Sequence, residues 1–418
     1  MASPALTRAR ESGVQTLEVR LGQTLVGALT HLGSEAVIFS FDRAYVEAGS
    51  TRPTLSLGFK AADGGLVEQT RPTRARLPPF FSNLLPEAHL REYLAARGGI
   101  HPDREFLLIW LLGADLAGAI EVRSPDGSVP PGAAGAGSGR RRDEQPLRFS
   151  LAGVQLKFSA LQETSKGLTL PVDGVGGDWI VKLPSPRFEA VPENEYAMMT
   201  LAREVGIDVP DVRLVATNDI GGLPQDLPEA FGQSLAVRRF DRPRSGERVH
   251  IEDFAQVFGV YPDKKYQHAS YGSIARVLWL EAGEHAVTEY TRRLVFNALI
   301  GNADAHLKNW SLIYPDARTP KLAPAYDLVG TIPYIPGDRL ALSLGGTKEF
   351  AAVDLDRFRR FADKAGLPVR LVLQTARETA ARVRDLWPTH EPLRALPERM
   401  RQAIGGHMDT VPLGLSYS

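Results

Sequence analysis

Apolar and polar residues alternate along 14–60, and this period of two predicts β-strands. The clearest strand patterns cover 16–21 and 36–41. Helical patterns follow over 87–97 and 103–113. The first part of the chain is therefore predicted to be a β-rich subdomain that continues into helices.

The composition changes over 124–146, where Gly, Pro, Ala and Ser prevail and the arginines Arg140–Arg142 follow one another. Nothing in this stretch can build a hydrophobic core, so it is predicted to be a flexible linker or loop. The arginine triplet is interpreted as part of a solvated linker rather than as a nucleic-acid contact. The N-terminal subdomain is accordingly assigned to 1–123.

Strand patterns return after the linker at 178–183 and 234–241. A helix is predicted between them, over about 192–205. Four apolar positions recur there at the three-and-four spacing of a buried helix face: Met198, Leu201, Ala202 and Val205.

From 251 onward the pattern becomes mainly helical. A first helix face is predicted from Ile251, Phe254, Ala255 and Phe258. Later elements are helices over 272–280, 284–300 and about 367–387, and a β-hairpin over 310–327. A β-rich part, 147–248, thus precedes a mainly helical part, 249–418. This order predicts an α+β, two-lobed kinase-like fold with an extra N-terminal subdomain.

Composition narrows the class of protein further. The 418 residues exceed what one core usually supports, and 49 basic residues balance 49 acidic ones, which argues against a general polyanion-coating role. The absence of cysteine excludes disulfides, thiolate zinc sites and cysteine nucleophiles. Met1–Val19 has no apolar core of signal-peptide length, and no apolar stretch approaches the ~20 residues of a membrane span. We therefore expect a cytoplasmic protein without membrane contact.

The segment 300–309 carries the most specific chemistry. Kinases use an Asp to accept the proton of the acceptor hydroxyl and an Asn five positions later to hold magnesium. Asp304 and Asn309 have this spacing. A second magnesium ligand is needed, and the hairpin would return the chain to the same place at Asp327. Carboxylate and carboxamide oxygens suit Mg²⁺, which neutralises charge on the phosphates.

Asp-x4-Asn is a short motif that also arises by chance, and the hairpin that ends at Asp327 is what makes it informative. Within the loop, His306 contacts either a phosphate or the loop backbone. Lys308 lies in the same loop and is grouped with the ATP-binding residues. Asn302 is interpreted as a turn residue.

A nucleotide site also needs a cation for the α- and β-phosphates. Lys182 ends the strand Trp179–Lys182, as the ATP lysine of kinases does, and its acidic partner is either Glu193 or Glu195. On its own, Lys182 would be an ordinary strand-end lysine. Ala152-Gly153 is a candidate phosphate loop, for which the alternative is a tight turn between strands.

Taken in order, these segments resemble the HipA-type serine/threonine kinases, which are toxins of type II toxin–antitoxin modules. The resemblance covers almost the whole chain and rests on several motifs: 80–87, 150–157, 180–184, 194–196, 239–242, Asp253 with 264–266, 302–309 and 326–327.

The resemblance implies roles for individual residues, with ATP and Mg²⁺ as cofactors. Asp304 would be the catalytic base, with Asn309 and Asp327 as magnesium ligands. The loop 152–157 would cover the triphosphate, and the backbone of 238–240 would hold the adenine. The implied ATP-binding residues are Ala152, Gly153, Val154, Gln155, Leu156, Lys157, Lys182, Arg238, Arg239, Phe240, His306, Lys308, Asn309 and Asp327.

A serine at the head of the loop is autophosphorylated in such kinases, which expels the loop and switches the kinase off. Here that residue is Ser150. A phosphoserine adds a charge of about −1.5 to −2, which would repel ATP. Two positions depart from the family pattern: Leu156 stands where an acidic residue is common, and Arg238 where a Glu is common.

The resemblance also implies partners. The substrate would be a protein, notably an aminoacyl-tRNA synthetase such as the glutamyl enzyme, whose phosphorylation stops growth. A helix-turn-helix antitoxin would neutralise the kinase, and the kinase would bind operator DNA only as part of that complex. The arginines of 368–387 are interpreted as a solvated face rather than a DNA contact. Two alternatives stay open: a catalytically silent co-repressor and a small-molecule kinase.

Overall fold

The computed structural model describes residues 15–33, 35–131, 157–162, 168–169, 176–223, 232–243 and 246–413. The strands in these ranges are β1 (Gln15–Leu21), β2 (Thr24–His31), β3 (Ala36–Phe41), β4 (Thr73–Arg74), β5 (Ile120–Arg123), β6 (Lys157–Gln162), β7 (Leu168–Thr169), β8 (Trp179–Lys182), β9 (Val212–Ala216), β10 (Ile220–Gly221), β11 (Gln233–Arg238), β12 (His250–Asp253), β13 (Ser311–Tyr314) and β14 (Lys321–Leu322). The helices are α1 (Arg43–Glu47), α2 (Pro79–Ser82), α3 (Ala88–Arg97), α4 (Glu105–Leu112), α5 (Val191–Val205), α6 (Phe254–Val257), α7 (Tyr271–Glu281), α8 (Gly283–Leu299), α9 (Leu355–Ala365), α10 (Val369–Leu386) and α11 (Glu398–Thr410).

The chain forms two compact units that are interleaved in sequence. The first unit combines the chain up to 131 with Asp241–Asp263 and Tyr314–Arg318, and the second contains the other described residues. The linear division predicted from the sequence does not anticipate this interleaving, because it places 249–263 and 314–318 in the helical part. Its boundaries at 123 and 147 stay predictions.

An antiparallel sheet with the order β4-β3-β2-β1-β5 forms the framework of the first unit. Alternation along β1 buries Leu17, Val19 and Leu21, and the strands predicted over 16–21 and 36–41 are confirmed. A Cβ at Gly27 would lie 2.2 Å from the carbonyl oxygen of Ser40, so this close approach of β2 to β3 requires glycine. The helices predicted at 87–97 and 103–113 are α3 and α4.

A buried carboxylate, Glu252, links three segments of the first unit. It accepts hydrogen bonds from the hydroxyl groups of Ser56 and Tyr314 and from the backbone N–H of Leu57 at 2.9 Å. Burial raises the pKa of this carboxyl to about 7, although the three hydrogen bonds oppose the shift. Glu252 therefore changes charge near neutral pH inside a packed core.

The first eight residues of the predicted linker are described, and they form a hydrogen-bonded turn rather than a free chain. Gly127 N–H donates to the carbonyl oxygen of Ser124 at 3.1 Å, and Asp126 accepts from the hydroxyl groups of Ser124 and Ser128. Trp110 of α4 donates its indole N–H to the carbonyl oxygen of Ser128 at 2.8 Å, which fixes the turn on the first unit. Residues 132–146 of the linker lie outside the described ranges.

The second unit begins with a six-stranded sheet, in the order β10-β7-β6-β8-β11-β9. Strand β8 pairs antiparallel with both β6 and β11, so Lys182 lies on a central strand. The predicted strands 178–183 and 234–241 are confirmed as β8 and β11, although β11 ends at Arg238. Helix α5 packs on β9 and β11 with the predicted face buried, and it ends at Gly206, which has φ +95°.

Helices α7 to α11 also belong to the second unit, where α8 and α10 pack against each other. The predicted helices at 272–280, 284–300 and 367–387 are confirmed as α7, α8 and α10. The predicted hairpin is also present, with Leu312 opposite Leu322, but its second strand stops at Leu322. In the described part of the chain, every helix is too short or too polar to cross a membrane.

One predicted helix is wrong. The face assigned to 251–258 contains strand β12 followed by the four-residue helix α6. Asp253 and Gln256 form a capping box, in which each side chain accepts from the backbone N–H of the other, so the helix begins only at Phe254. Ile251 therefore belongs to the strand, and its spacing with Phe254 was coincidental.

Candidate active site

Lys182 lies at the centre of a buried ion-pair cluster in the second unit. Its ammonium group donates to the carboxylates of both Glu195 and Asp327, and only 5% of the Lys182 side chain and 1% of the Glu195 side chain are exposed. Burial lowers the pKa of Lys182, but the two carboxylates raise it more, so the net shift is upward. Of the two predicted acidic partners, Glu195 is the one in contact.

Lys157 is the cross-strand neighbour of Lys182, because β6 and β8 pair these two residues directly. Like charges in that position repel, and Asp327 lies between them. The ammonium group of Lys157 is 3.2 Å from each carboxylate oxygen of Asp327. Burial raises the pKa of Asp327, but the two lysines outweigh it and hold the pKa well below its usual range. The sheet thus presents two cations side by side, and Asp327 is the carboxylate that contacts both of them.

Asp327 occupies an uncommon backbone conformation, with φ +55°. An L-residue other than glycine rarely adopts this left-handed region, and such strain concentrates at functional sites. Its position is fixed from several directions: Asn309 donates to its carboxylate at 3.2 Å, and Asn302 donates to its backbone carbonyl at 3.3 Å. The strained backbone is therefore held by the predicted catalytic loop.

Asn309 carries an unsatisfied acceptor. Its amide nitrogen donates to Asp327, whereas its side-chain oxygen is buried without a hydrogen-bond partner. This residue borders a small cavity whose polar lining consists of Arg293, Asn297, Asn302, Asn309, Tyr326 and Asp327. Within the described ranges, no group of three or more His, Cys, Asp or Glu side chains is arranged to hold a metal by itself. Any cation here would take one carboxylate and one carboxamide from this pair.

The loop that contains Asp304 begins at Gly301. This glycine has φ +67°, and a Cβ there would meet Ile332 at 2.3 Å, so only glycine fits. The loop ends in a single 3-10 turn, Leu307–Asn309. Asn302 donates to the side-chain oxygen of Asn297 at 2.7 Å and accepts from the N–H of Asp304 at 3.0 Å. It ties the loop to helix α8, which is more than the turn role predicted for it.

Asp304 is accessible, with 59% of its side chain exposed, whereas its loop neighbours Ala303 and Ala305 are buried. Its Oδ1 accepts a hydrogen bond from the hydroxyl group of Tyr266. Partial desolvation raises the pKa of the Asp304 carboxyl, while the Tyr266 hydroxyl and the charge of Lys265 act in the opposite direction. A carboxylate held in this way can accept a proton from a group that approaches from solvent.

His306 is buried, and its Nε2 lies 3.9 Å from Oδ1 of Asp304. Burial lowers the pKa of His306 to about 3, so the imidazole is neutral at physiological pH. Its ring packs edge-on against Tyr266 with the centroids 5.0 Å apart. This geometry favours support of the loop over a charged phosphate contact. At Lys308, the backbone carbonyl accepts from the hydroxyl group of Tyr326 at 2.8 Å.

The predicted adenine segment, 238–240, begins at Arg238, the last residue of strand β11. Arg238 pairs with Asp178 at 3.0 Å, and its backbone N–H donates to the carbonyl oxygen of Asp211. The N–H of Arg239 donates to the carbonyl oxygen of Asp178. The backbone N–H groups of both arginines are therefore already hydrogen-bonded within the protein, so an adenine would have to bind other groups of this segment. Phe240 packs against Tyr326 at 5.9 Å between centroids.

Six predicted site residues lie outside the described residues: Ser150, Ala152, Gly153, Val154, Gln155 and Leu156. The structure brings Lys157, Lys182, Asn309 and Asp327 together, with Asp304 on the same loop as Asn309. The ATP-binding roles of these residues, and those of His306 and Lys308, stay predictions. Tyr266 was assigned no role from the sequence, although it belongs to 264–266, one of the segments that resemble the family.

The described fold and this cluster define a kinase-like α+β protein. Family models for the HipA N-terminal domain and the HipA-like C-terminal domain match 17–123 and 149–387. The protein Y4dM of Sinorhizobium fredii, a kinase by name, is 52% identical over 412 residues, which are 96% of this chain and 98% of the relative. The chain therefore belongs to the HipA family, which confirms the resemblance of its motifs.

This chain is also similar to a further relative and to a solved structure. The serine/threonine-protein kinase toxin HipA of Shewanella oneidensis is 28% identical over 408 residues, which are 88% of this chain and 87% of the relative. A chain from the structure of the HipA, HipB and operator DNA complex of Shewanella oneidensis MR-1 shares the fold. Its TM-score is 0.69 at 24% identity, covering 94% of this chain and 95% of that chain. The predicted two-lobed, kinase-like fold class is confirmed.

Proposed function

We propose that this protein is an ATP-dependent serine/threonine-protein kinase. The observation that carries the proposal is the pair of lysines on adjacent strands, Lys157 and Lys182, which face Asp327 beside Asn309. Two neighbouring cations next to a carboxylate and a carboxamide match the needs of a magnesium-bound triphosphate. The kinase names of the relatives support the same assignment.

The residues of the site fit a magnesium ion. Mg²⁺ in phosphoryl-transfer sites uses one or two carboxylates together with phosphate oxygens and water. Asp327 would supply the carboxylate, and Asn309 the carboxamide oxygen that has no partner. When bound, the ion supplies neutralisation of the phosphate charge. The lysines that now contact Asp327 would turn to the phosphates, with Glu195 keeping Lys182 in place.

Asp304 is the proposed catalytic base. The acceptor hydroxyl oxygen forms a bond to the γ-phosphorus, the bond from that phosphorus to the β-γ bridging oxygen breaks, and the hydroxyl proton passes to Asp304. The exposure of Asp304 allows a protein hydroxyl to reach it. The products are a phosphoprotein and ADP.

The remaining assignments rest on family membership. Residues 152–157 would cover the triphosphate, and 238–240 would border the adenine. Autophosphorylation of Ser150 would place a dianion beside the phosphate site and inactivate the kinase. The cellular role would be that of a growth-arresting toxin in the cytoplasm, with an aminoacyl-tRNA synthetase as substrate. A helix-turn-helix antitoxin would neutralise it, and the complex of the two would bind operator DNA.

The decisive experiment compares the wild type with Asp304→Asn. The phosphatase-treated proteins are incubated with Mg²⁺ and γ-labelled ATP, and the label is mapped by mass spectrometry. A positioned base contributes about 10²- to 10⁴-fold, so we expect Asp304→Asn to lose at least about 100-fold in labelling rate. ATP affinity should change little, because Asp304 is not part of the Lys182–Asp327 cluster. Asp363→Asn removes an exposed charge from α9 and is the matched control.

Label on Ser150 in the wild type and in Asp363→Asn would support the self-inactivating kinase. Absence of label in the wild type, together with absence of ATP binding by calorimetry, would refute the kinase assignment and favour the co-repressor. Growth arrest by the wild type but not by Asp304→Asn, relieved by co-expression of a helix-turn-helix protein encoded next to it, would test the toxin role.

A further inference from the structure

Tyr266 belongs to a separate segment of the chain, and its side chain packs against the predicted catalytic loop. The backbone carbonyl of Lys265 accepts from the N–H of Leu307 at 3.2 Å, which anchors this segment to the loop. The Tyr266 ring contacts His306 edge-on at an interplanar angle of 82°. The residue is 41% exposed, so it lies at the surface beside Asp304. Two separate contacts therefore fix the phenol next to the proposed base.

The two carboxylate oxygens of Asp304 are not equivalent. Oδ1 accepts from Tyr266 and is also the atom nearest to His306. Among the described residues, Oδ2 has no hydrogen-bond partner. A carboxylate that is fixed through one oxygen presents the other in a defined direction, which is what a general base needs.

We propose that Tyr266 is a positioning residue for the phosphoryl-transfer reaction: its hydroxyl group holds Oδ1 of Asp304 so that Oδ2 faces the acceptor hydroxyl. This inference rests on the proposed kinase function and deepens it. In the transfer step the acceptor proton passes to Oδ2, the new bond joins the acceptor oxygen to the γ-phosphorus, and ADP leaves. Tyr266 keeps its own proton throughout.

The same contact sets the basicity of Asp304. Hydrogen bonding from Tyr266 stabilises the ionised carboxylate and so opposes the desolvation that raises its pKa. The other charged groups that face Asp304 are Lys265 and Lys157, which lower its pKa, and Asp327, which raises it. His306 is neutral and adds no charge. Removal of the Tyr266 hydroxyl should therefore shift the titration of Asp304 to higher pH.

The test uses Tyr266→Phe in the full chain. Phenylalanine keeps the ring that contacts His306 and loses only the hydroxyl group. Phosphatase-treated wild type and variant are given Mg²⁺ and γ-labelled ATP, and initial rates of self-labelling are measured from pH 5 to pH 9. We expect the rate at pH 7 to fall at least about tenfold. The half-saturating ATP concentration should stay within about twofold, because the hydroxyl does not hold nucleotide.

The pH profile separates positioning from a general structural role. In Tyr266→Phe the acidic limb of the rate profile should move to higher pH. Tyr45→Phe, which removes a hydroxyl that donates to the carbonyl oxygen of Pro53 in the first unit, is the matched control and should leave both rate and limb unchanged. Thermal unfolding of all three proteins checks that the fold is intact.

Three results would overturn the inference. An unchanged rate and limb in Tyr266→Phe would mean that the hydroxyl does not position Asp304. A faster rate would mean that it occupies the place of the acceptor and blocks the site. A slower rate with an unmoved limb and a lowered unfolding temperature would assign Tyr266 to the fold alone. Absence of label in the wild type is a different outcome, because it refutes the kinase function itself.

Discussion

Replacement of Lys182 by methionine tests whether the buried cluster is held by charge. Methionine has a similar length and no charge, so it fills the space of the lysine stem. It leaves Glu195, which has a 1% exposed side chain, without its cation. Asp327 keeps Lys157, whose ammonium group is 3.2 Å away. The free-energy cost should therefore come mainly from Glu195.

The magnitude follows from the protonation that Glu195 would undergo. A carboxyl of ordinary pKa about 4.3 that must take up a proton at pH 7 costs about 3.7 kcal/mol, at 1.36 kcal/mol for each pH unit. Burial raises the pKa of Glu195 even with Lys182 beside it, which reduces the difference, so we expect Lys182→Met to lose about 2–3 kcal/mol at pH 7. The folded-state pKa in the variant lies above the unfolded one, so its stability recovers as the pH falls. At pH 5 the same cost is at most about 1 kcal/mol.

Urea unfolding at pH 5 and pH 7 measures this difference. Unfolding is monitored by tryptophan fluorescence, in which Trp179, Trp279, Trp310 and Trp387 report on the second unit. Lys182→Met combined with Glu195→Gln removes both charges and should recover most of the lost stability. Glu195→Gln alone keeps the contact of Lys182 with Asp327 and is the matched control. Equal destabilisation at both pH values, or a double variant as unstable as the single one, would refute the electrostatic reasoning.

Glu252→Gln should flatten the pH dependence of the first unit. With a folded-state pKa of about 7, the wild-type carboxyl contributes stability that is present below its unfolded pKa and is lost as the pH rises through 7. That loss is about 3 kcal/mol between pH 5 and pH 8, and equal falls in the thermal unfolding temperature of both proteins over this range would contradict it. Gly301→Ala should cost about 2–4 kcal/mol in urea unfolding, because the positive φ adds to the collision with Ile332 at 2.3 Å. Gly283→Ala, also at positive φ but with no atom within 4 Å of the added carbon, should cost only about 1–2 kcal/mol, and equal costs would rule out the collision.

The fold could be predicted where a single period dominated. Helix α5 was recognisable by its apolar face and the glycine that follows it, and the hairpin by two strand patterns on either side of a turn. The helix α9 was not predicted, although its sequence carries the signals: Asp354 caps it, four apolar residues follow at helical spacing, and Gly366 with φ +70° ends it. The prediction of a helix over 251–258 was wrong for the opposite reason. It relied on the apolar spacing and overlooked the capping residue Asp253, after which the helix begins.

Site residues could be predicted from the sequence where the chemistry allows only a few residue types. Magnesium needs oxygen ligands and proton transfer needs a carboxylate, so Asp304, Asn309 and Asp327 stood out by type and spacing. The choice between Glu193 and Glu195 could not be made from the sequence. Both residues lie three or four positions before buried residues of α5, and only the position of Lys182 on β8 selects Glu195.

Positioning residues are harder to predict, because many residue types can hold a carboxylate and the contact is set by the tertiary fold. Tyr266 reaches Asp304 across 38 residues of sequence, and no local pattern links the two. Asn302 was interpreted as a turn residue, yet its amide bridges helix α8, the loop and the backbone of Asp327. The positive φ of Asp327 is a strained conformation that needs such hydrogen bonds. Without them the backbone of Asp327 would return to an ordinary φ and its carboxylate would move away from the two lysines. The loop sequence therefore encodes both the reacting groups and the contacts that hold them, and only the first can be recognised without the structure.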